Sequence, residues 1–247
     1  MEEWLEGEVV KNIKWTKNLA SLKIKAKINN HQAGQFTRIG LKVNDDFITR
    51  SYSYASAPKD EILEIIYTNI PNGKLSPILH NLEIGDKISV MQQAIGYFTL
   101  DEIPDGENLW MLATGTALGV FLAILKTSIP WKRFKKVILI HSVRYAEELI
   151  YQDLIAEMKQ RYPDQFIYLN SVTRSKVKGS FNFRIPEGLS SKKFQESAQI
   201  EINEGSQFMV CGNPEMIKET TEVLKGFGLN KNRRAKPGNI TVERYWV

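Results

Sequence analysis

The chain has 247 residues, and 33 Lys and Arg against 28 Asp and Glu leave a formal charge of +5 at pH 7. A single cysteine, Cys211, excludes an internal disulfide, a Cys-X-X-Cys redox pair, a four-thiolate zinc site and a four-cysteine iron–sulfur cluster held by this chain alone. Three dispersed histidines (His31, His80, His141) argue against a multi-histidine metal site, and no metal is expected.

The first hundred residues alternate with period two. In Leu22-Lys23-Ile24-Lys25-Ala26-Lys27-Ile28, apolar and basic residues take turns, as in a strand with one wet face. Similar stretches recur at 7–15, 36–43, 47–56, 62–69 and 86–92, punctuated by Asn44-Asp45-Asp46, Ala57-Pro58 and Gly85-Asp86. A helix is expected only over 74–83, so this half reads as a six-stranded antiparallel barrel. After Asp101–Asn108 the rhythm changes. Apolar runs at 109–113, 137–142, 166–172 and 207–211 are separated by helical patterns at 117–128, 145–161 and 214–227. That alternation implies crossover connections and a parallel sheet. A boundary is expected near Ile103-Pro104.

Two stretches need a membrane or nucleic-acid check. Leu109 to Leu125 is a seventeen-residue run without a charge, but Thr114-Gly115-Thr116 breaks it, which suits a buried strand followed by a helix. The acidic start MEEWLEGEVV has no secretory pattern, so a cytoplasmic protein is expected. From Lys225 to Val247, Lys225, Lys231, Arg233, Arg234, Lys236 and Arg244 face one acid, Glu243, and the rest of the chain sums to zero. A nucleic-acid barrel would interleave exposed aromatics with bases along its strands, and these strands do not.

Candidate site residues follow in chain order. Arg50-Ser51-Tyr52-Ser53 ends a strand, with Arg50 and Tyr52 on one face, suited to pairing a phosphate and stacking on a flat ring; a solvent-facing edge strand has the same pattern. Gly73-Lys74-Leu75-Ser76-Pro77 leads into the expected helix, where N–H groups with Lys74 and Ser76 suit an anion or plain capping. Gly96 sits beside Tyr97 and Phe98, which core packing alone would also explain.

In the second half, Thr114-Gly115-Thr116-Ala117-Leu118-Gly119 occupies the first strand-to-helix turn, where doubly wound sheets bind nucleotide pyrophosphates, although the spacing is not a full Gly-X-Gly-X-X-Gly. Val143-Arg144 follows the second strand, where an arginine suits a ribose 2′-phosphate and an acid a 2′-hydroxyl. Arg174 and Arg184 are further phosphate candidates, each equally readable as a surface charge. Cys211-Gly212-Asn213-Pro214-Glu215-Met216 follows the last strand, with Pro214 fit for a first helical turn and Cys211 readable as a small core residue.

In this order, RSYS (50–53), GKLS (73–76), GYF (96–98), ATGTALG (113–119), CGNPEM (211–216) and RYWV (244–247) resemble the ferredoxin–NADP reductase superfamily, and within it the bacterial ferredoxin/flavodoxin–NADP reductases. The resemblance spans the whole chain. It implies an FAD-binding barrel over 1–103 and a Rossmann-like NADP-binding domain over 104–247, whose aromatic tail returns to the flavin. Arg50, Ser51, Tyr52, Ser53, Gly73, Lys74, Leu75, Ser76 and Thr116 would hold a non-covalent FAD. Val143, Arg144, Thr173, Arg174, Arg184, Asn213, Pro214, Glu215 and Met216 would hold NADP.

By the same resemblance, Ser53, Cys211 and Tyr245 would stand beside the reacting rings, with Tyr245 and Trp246 covering the flavin. The chain would be a monomeric enzyme exchanging a hydride with NADP(H) and single electrons with an acidic ferredoxin or flavodoxin. A flavin or cytochrome reductase of the same superfamily, or a non-catalytic electron-transfer subunit, stands as the alternative. Two departures from the family pattern are Val120, where a proline is usual, and Val247, which follows the terminal tryptophan.

Overall fold

Strand-forming alternation in the first half yields six strands: β1 (Trp4–Lys14), β2 (Leu19–Lys25), β3 (Phe36–Val43), β4 (Asp46–Ser53), β5 (Ile62–Thr68) and β6 (Lys87–Met91). The computed structural model describes residues 3–245. All six strands pair antiparallel in the order β4-β3-β6-β1-β2-β5. The sheet curls until its two ends meet at a single bridge, Tyr54 with Ile65, where the Ala55 N–H donates to the Glu64 carbonyl at 2.7 Å. Inward residues of alternate positions, among them Val9, Leu22, Ile24, Ile39, Ile65 and Val90, form one core. Helix α1 (Ser76–Asn81) seats Leu79 in it.

The charge-free run at 109–125 resolves into two elements. It becomes strand β7 (Asn108–Thr114) and, after a one-turn 3-10 segment, helix α2 (Leu118–Leu125). Gly115, at φ +55, separates them in the left-handed region that glycine enters without a Cβ penalty. Among the described residues, no helix is long and apolar enough to cross a membrane.

Packing divides the chain differently from a single cut near residue 103. The first unit runs to Thr99 and also takes in Gly119–Thr127, and the second comprises Leu100–Leu118 and Ser128–Val247. The reason lies in α2. A Cβ on Gly119 would sit 3.3 Å from the Ala55 Cβ and the Ile66 Cδ1, so the glycine permits close approach. Just beyond, Lys126 donates to the Ala55 carbonyl at 2.9 Å and lies 4.0 Å from the Glu64 carboxylate. Glu64 is 5% exposed and has Lys23 at 3.9 Å on its other oxygen, so two ammonium groups flank a charge that would otherwise be buried unpaired.

The second unit is a five-stranded parallel sheet, ordered β11-β10-β7-β8-β9, with β8 (Lys136–Val143), β9 (Phe166–Val172), β10 (Ser206–Gly212) and β11 (Ile240–Arg244). Its helices are α3 (Ile129–Arg133), α4 (Gln152–Arg161), α5 (Ile185–Ser190), α6 (Lys193–Ala198) and α7 (Pro214–Gly226). Near-continuous apolar strands such as Val137-Ile138-Leu139-Ile140 mark a sheet covered on both faces. On one face Trp110 and Phe208 stack at 5.8 Å and join Leu189, Phe194, Met216 and Leu224 in a core.

Several sequence expectations shift here. The helix expected at 145–161 begins only at Gln152. Tyr151 is left-handed at φ 58, and the Glu148 carboxylate accepts from the Arg144 and Tyr145 N–H groups, forming a separate turn. Strand β11 and helices α3, α5 and α6 were not anticipated. Helix α5 contains Gly188, an ordinary helix-breaking signal. The structure needs that glycine, because a Cβ there would meet the Phe194 ring at 2.3 Å.

Candidate functional site

In the first unit, the candidate groups gather where the barrel closes. Arg50 and Ser51 are exposed, Tyr52 is half-buried and Ser53 is 9% exposed, so burial deepens along the end of β4. The Arg50 Nη1 donates to the Thr49 carbonyl at 2.7 Å. Burial pushes the Tyr52 phenol up to about 12, against the smaller opposing effect of Arg50, so its ring stays neutral. The antiparallel bridge of Tyr54 with Ile65 brings residues before Tyr54 alongside those after Ile65, and burial raises the Tyr67 phenol most, with Tyr52 adding a small upward push. The turn that follows β5 therefore lies on the side of Arg50 and Tyr52.

That turn is tight. A Cβ on Gly73 would sit 2.9 Å from the Ser76 Oγ and 3.0 Å from the Ile70 carbonyl. The Ser76 Oγ accepts from the Ile70 N–H at 3.0 Å and keeps its own proton to donate. Leu75 is buried in the core, so its backbone alone faces outward, while Lys74 is exposed. The N–H groups of Lys74, Leu75 and Ser76 have no acceptor among the described residues. A guanidinium, an ammonium, three N–H groups, a hydroxyl and a half-exposed ring make a donor set that fits an aromatic diphosphate cofactor such as FAD. Gly96-Tyr97-Phe98 divides: Phe98 packs on Phe121 at 5.9 Å, and Tyr97 is 67% exposed.

In the second unit, the candidates line up along the carboxyl edge of the parallel sheet, the ligand edge of such folds. Thr114 ends β7, and its Oγ1 accepts from the Asn213 N–H at 3.0 Å. Gly212 stands at φ +131, where a Cβ would lie 2.1 Å from that same Oγ1. No other residue fits. The Asn213 side chain caps α7, accepting from Glu215 N at 2.9 Å and Met216 N at 3.1 Å. Pro214 occupies the first turn, where its missing N–H costs nothing. Met216 is a core residue, so the Asn213–Met216 segment offers backbone and Glu215 rather than a row of side-chain ligands.

The arginines separate into a pair and a single. The Thr173 N–H and Oγ1 both donate to the Val143 carbonyl, at 3.0 and 3.1 Å, and the Arg174 N–H donates to the Arg144 carbonyl at 2.9 Å. Val143 is buried and acts through its backbone. Arg144 and Arg174 are thereby fixed next to each other, both exposed, with the Arg174 guanidinium 6.0 Å from the Tyr145 ring centre. Arg184 is held elsewhere. Its guanidinium reaches Glu219 at 3.0 Å and Glu215 at 3.9 Å, both on α7.

Strand β11 brings the chain's end back to this edge. It pairs parallel with β10, Cys211 opposite Glu243 and Gly212 opposite Arg244, and the Tyr245 N–H donates to the Gly212 carbonyl at 3.0 Å. Cys211 is wholly buried, with its Sγ 4.0 Å from the Glu243 Oε1. Burial, aided by the Glu243 charge, pushes the thiol well above its ordinary value against smaller hydrogen-bonding effects of Tyr245 and Gly212. Cys211 is a neutral S–H donor, not a thiolate. The sequence named Thr114 only as the start of the 114–119 turn and Glu243 only as the tail's one acid; their contacts with Asn213 and Cys211 emerge from the folded strands. Trp246, expected beside the flavin, lies outside the described residues.

The geometry defines a class: a nucleotide-binding protein of two units, with a diphosphate-type donor set on the antiparallel sheet and a ligand edge on the parallel one. Residues 6–98 match the family model for the oxidoreductase FAD-binding domain, and residues 111–222 match that for the oxidoreductase NAD-binding domain. The chain is 40% identical, over the full length of both, to the flavodoxin/ferredoxin–NADP reductases of Shigella flexneri and of Escherichia coli (strain K12). A solved ferredoxin NADP+ reductase from Neisseria gonorrhoeae, with FAD and NADP bound, superimposes with a TM-score of 0.93 at 31% identity, covering 99% of each chain. The chain belongs to the flavodoxin/ferredoxin–NADP reductase family.

Proposed function

We infer that this protein is an FAD-dependent reductase that exchanges a hydride with NADP(H) and single electrons with ferredoxin or flavodoxin. The observation that supports it most is the arginine pair at the carboxyl edge. Arg144 and Arg174 are neighbours through a backbone bond at that edge and would offer two guanidiniums to a ribose 2′-phosphate. Bound FAD would supply the chemistry that turns a two-electron hydride into one-electron steps.

The chain's own residues bind and orient. Arg50 and Lys74, with the N–H groups of 74–76, would neutralise the flavin diphosphate, and Tyr52 would stack on a ring. Ser53 offers a hydroxyl at the buried end of β4. Cys211 keeps its proton because its site is buried, so it packs and donates without attacking the nicotinamide. Tyr245, tied to Gly212 at the carboxyl edge, would shield a bound nicotinamide ring from water. Arg184 would join the 2′-phosphate by exchanging its α7 carboxylates for it. No general acid–base pair is needed for hydride transfer, and His141, neutral and buried, offers none.

The reading includes a cytoplasmic, monomeric enzyme and an acidic carrier. The basic C-terminal stretch contributes less to docking than its count suggests. Arg234 makes a two-point pair with Glu102 at 2.6 and 3.1 Å, and Lys225 pairs with Glu222 at 2.8 Å. Lys231, Arg233 and Lys236 are the residues to test. The deciding experiment is rapid-mixing reduction of the yellow protein by NADPH in the presence of ferredoxin or flavodoxin. Fast reduction followed by salt-sensitive electron delivery is expected. A preparation that takes up no FAD, or is reduced but passes electrons to neither carrier, would overturn the assignment.

A further inference from the structure

His141 takes no part in the site as described, yet its surroundings are unusual. It lies on β8 in register with Ala113 of β7 and is 0% exposed. An apolar side chain would fill such a place without a polar atom to satisfy. The Nε2 lies 3.1 Å from the Gly115 carbonyl. A carbonyl only accepts, so Nε2 bears the proton and donates, which leaves Nδ1 as a bare lone pair. That Nδ1 is enclosed without a hydrogen-bond partner among the described residues. One nitrogen is left unsatisfied so that the other can grip one carbonyl.

The carbonyl belongs to the residue that most needs holding. Gly115 sits at φ +55, and a Cβ there would meet nothing within 4 Å, so the turn is packed at Ala117 and Leu118 but not at Gly115 itself. Its oxygen also accepts from the Leu118 N–H, and with His141 both lone pairs are engaged. In a trans peptide the carbonyl and the following N–H point in opposite directions. Pulling the Gly115 oxygen toward the buried imidazole therefore turns the Thr116 N–H away from it. That N–H has no acceptor among the described residues. We propose that His141 is a positioning residue for nucleotide binding: its Nε2–H holds the Gly115 carbonyl and so aims the Thr116 N–H at the diphosphate of the nicotinamide nucleotide. The inference rests on the nucleotide reading given above.

The test uses the FAD-loaded protein with three variants. In His141→Leu the grip is lost. In His141→Asn the amide is too short to reach, which gives a second loss should the leucine variant misfold. In His141→Gln an amide N–H reaches about as far as Nε2. Binding of NADP+ and of adenosine 2′-monophosphate, which keeps the 2′-phosphate but has no diphosphate, is measured by equilibrium titration. Loss of the grip should raise the NADP+ dissociation constant about tenfold, the scale of one well-aimed hydrogen bond, and leave adenosine 2′-monophosphate binding unchanged. KM for NADPH and for NADH should rise by the same factor with kcat little changed. His141→Gln should restore the NADP+ affinity and both KM values.

Wild-type-like NADP+ binding in both loss variants would overturn the proposal. So would an equal loss for adenosine 2′-monophosphate, or a glutamine variant that recovers thermal stability but not affinity. Failure of the wild-type protein to bind NADP+ at all would instead remove the nucleotide reading beneath it.

Discussion

The two units solve ligand binding in opposite ways. In the first, the candidate groups sit on an edge strand and a turn, with the charged ones, Arg50 and Lys74, exposed, and their side chains contribute little to one another's placement. In the second, they stand at the ends of buried parallel strands and are knit together: Thr114 to Asn213, Gly212 to Tyr245, Arg144 to Arg174 and His141 to Gly115. The contrast follows from sheet type. A curled antiparallel sheet offers an open seam, whereas a covered parallel sheet offers only its carboxyl edge, where neighbouring strand ends must share hydrogen bonds. Substitutions in the first unit should cost ligand and spare the fold; in the second, those that break the bonds between strand ends should cost both, whereas a side chain that only projects from a backbone-bonded pair should cost ligand alone.

The strongest challenge to that contrast is Gly212→Val. Strain at φ +131 and collision with Thr114 should together remove about 3 kcal/mol or more of stability. NADP+ binding should be lost while FAD content, measured by absorbance, persists. Intact NADP+ affinity would show that the knitted edge is not required.

Next comes pH. In the unfolded chain His141 takes up a proton near 6.5, but in the folded protein only near 4, because burial disfavours the charged ring. Between these values the unfolded state binds more protons, so stability falls as pH falls. The loss approaches roughly 3 kcal/mol at pH 4. Denaturant titrations of wild type and His141→Gln should diverge below pH 6.5, the variant being flatter; parallel curves would refute the buried neutral ring.

Changing Arg144 and Arg174 together to alanine should raise KM for NADPH by about a hundredfold, from two charge-assisted contacts of about 1.5 kcal/mol each. KM for NADH should barely move, nor should the melting temperature. Equal losses for both nucleotides would contradict the 2′-phosphate assignment. The smallest effect is expected from Arg50→Ala: FAD affinity lowered about tenfold by one charged contact, with the melting temperature of the apoprotein unchanged. A destabilised apoprotein would mean that the first unit is knit like the second.

Much of this was legible in the residues. Period-two alternation and Gly/Asn/Pro punctuation located all six barrel strands, and four of the five parallel strands stood out as apolar runs. Strand β11 did not, because Ile240–Arg244 is short, mostly half-buried and at the edge of its sheet. His141 sits inside Val137–Val143, an unremarkable buried strand by its letters, and its partner lies 26 residues earlier. Arg184 looked like Arg144 and Arg174 in sequence, but only the approach of α7 shows that two carboxylates already hold it.

The sequence by itself determined the two-unit plan, the family and the chemical types of the ligand-binding groups, because periodicity, turn residues and short motifs are local properties of the chain. The basic tail read as one patch for the same reason: charge counts are local. Tertiary structure decided which groups act together. It assigned α2 to the barrel unit through the close approach at Gly119 and tied Arg234 to Glu102. It also returned Glu243 and Tyr245 to Cys211 and set His141 against Gly115. These pairings join residues far apart along the chain, and hydrogen bonds and ion pairs depend on distances of a few ångströms that only the packed sheets fix.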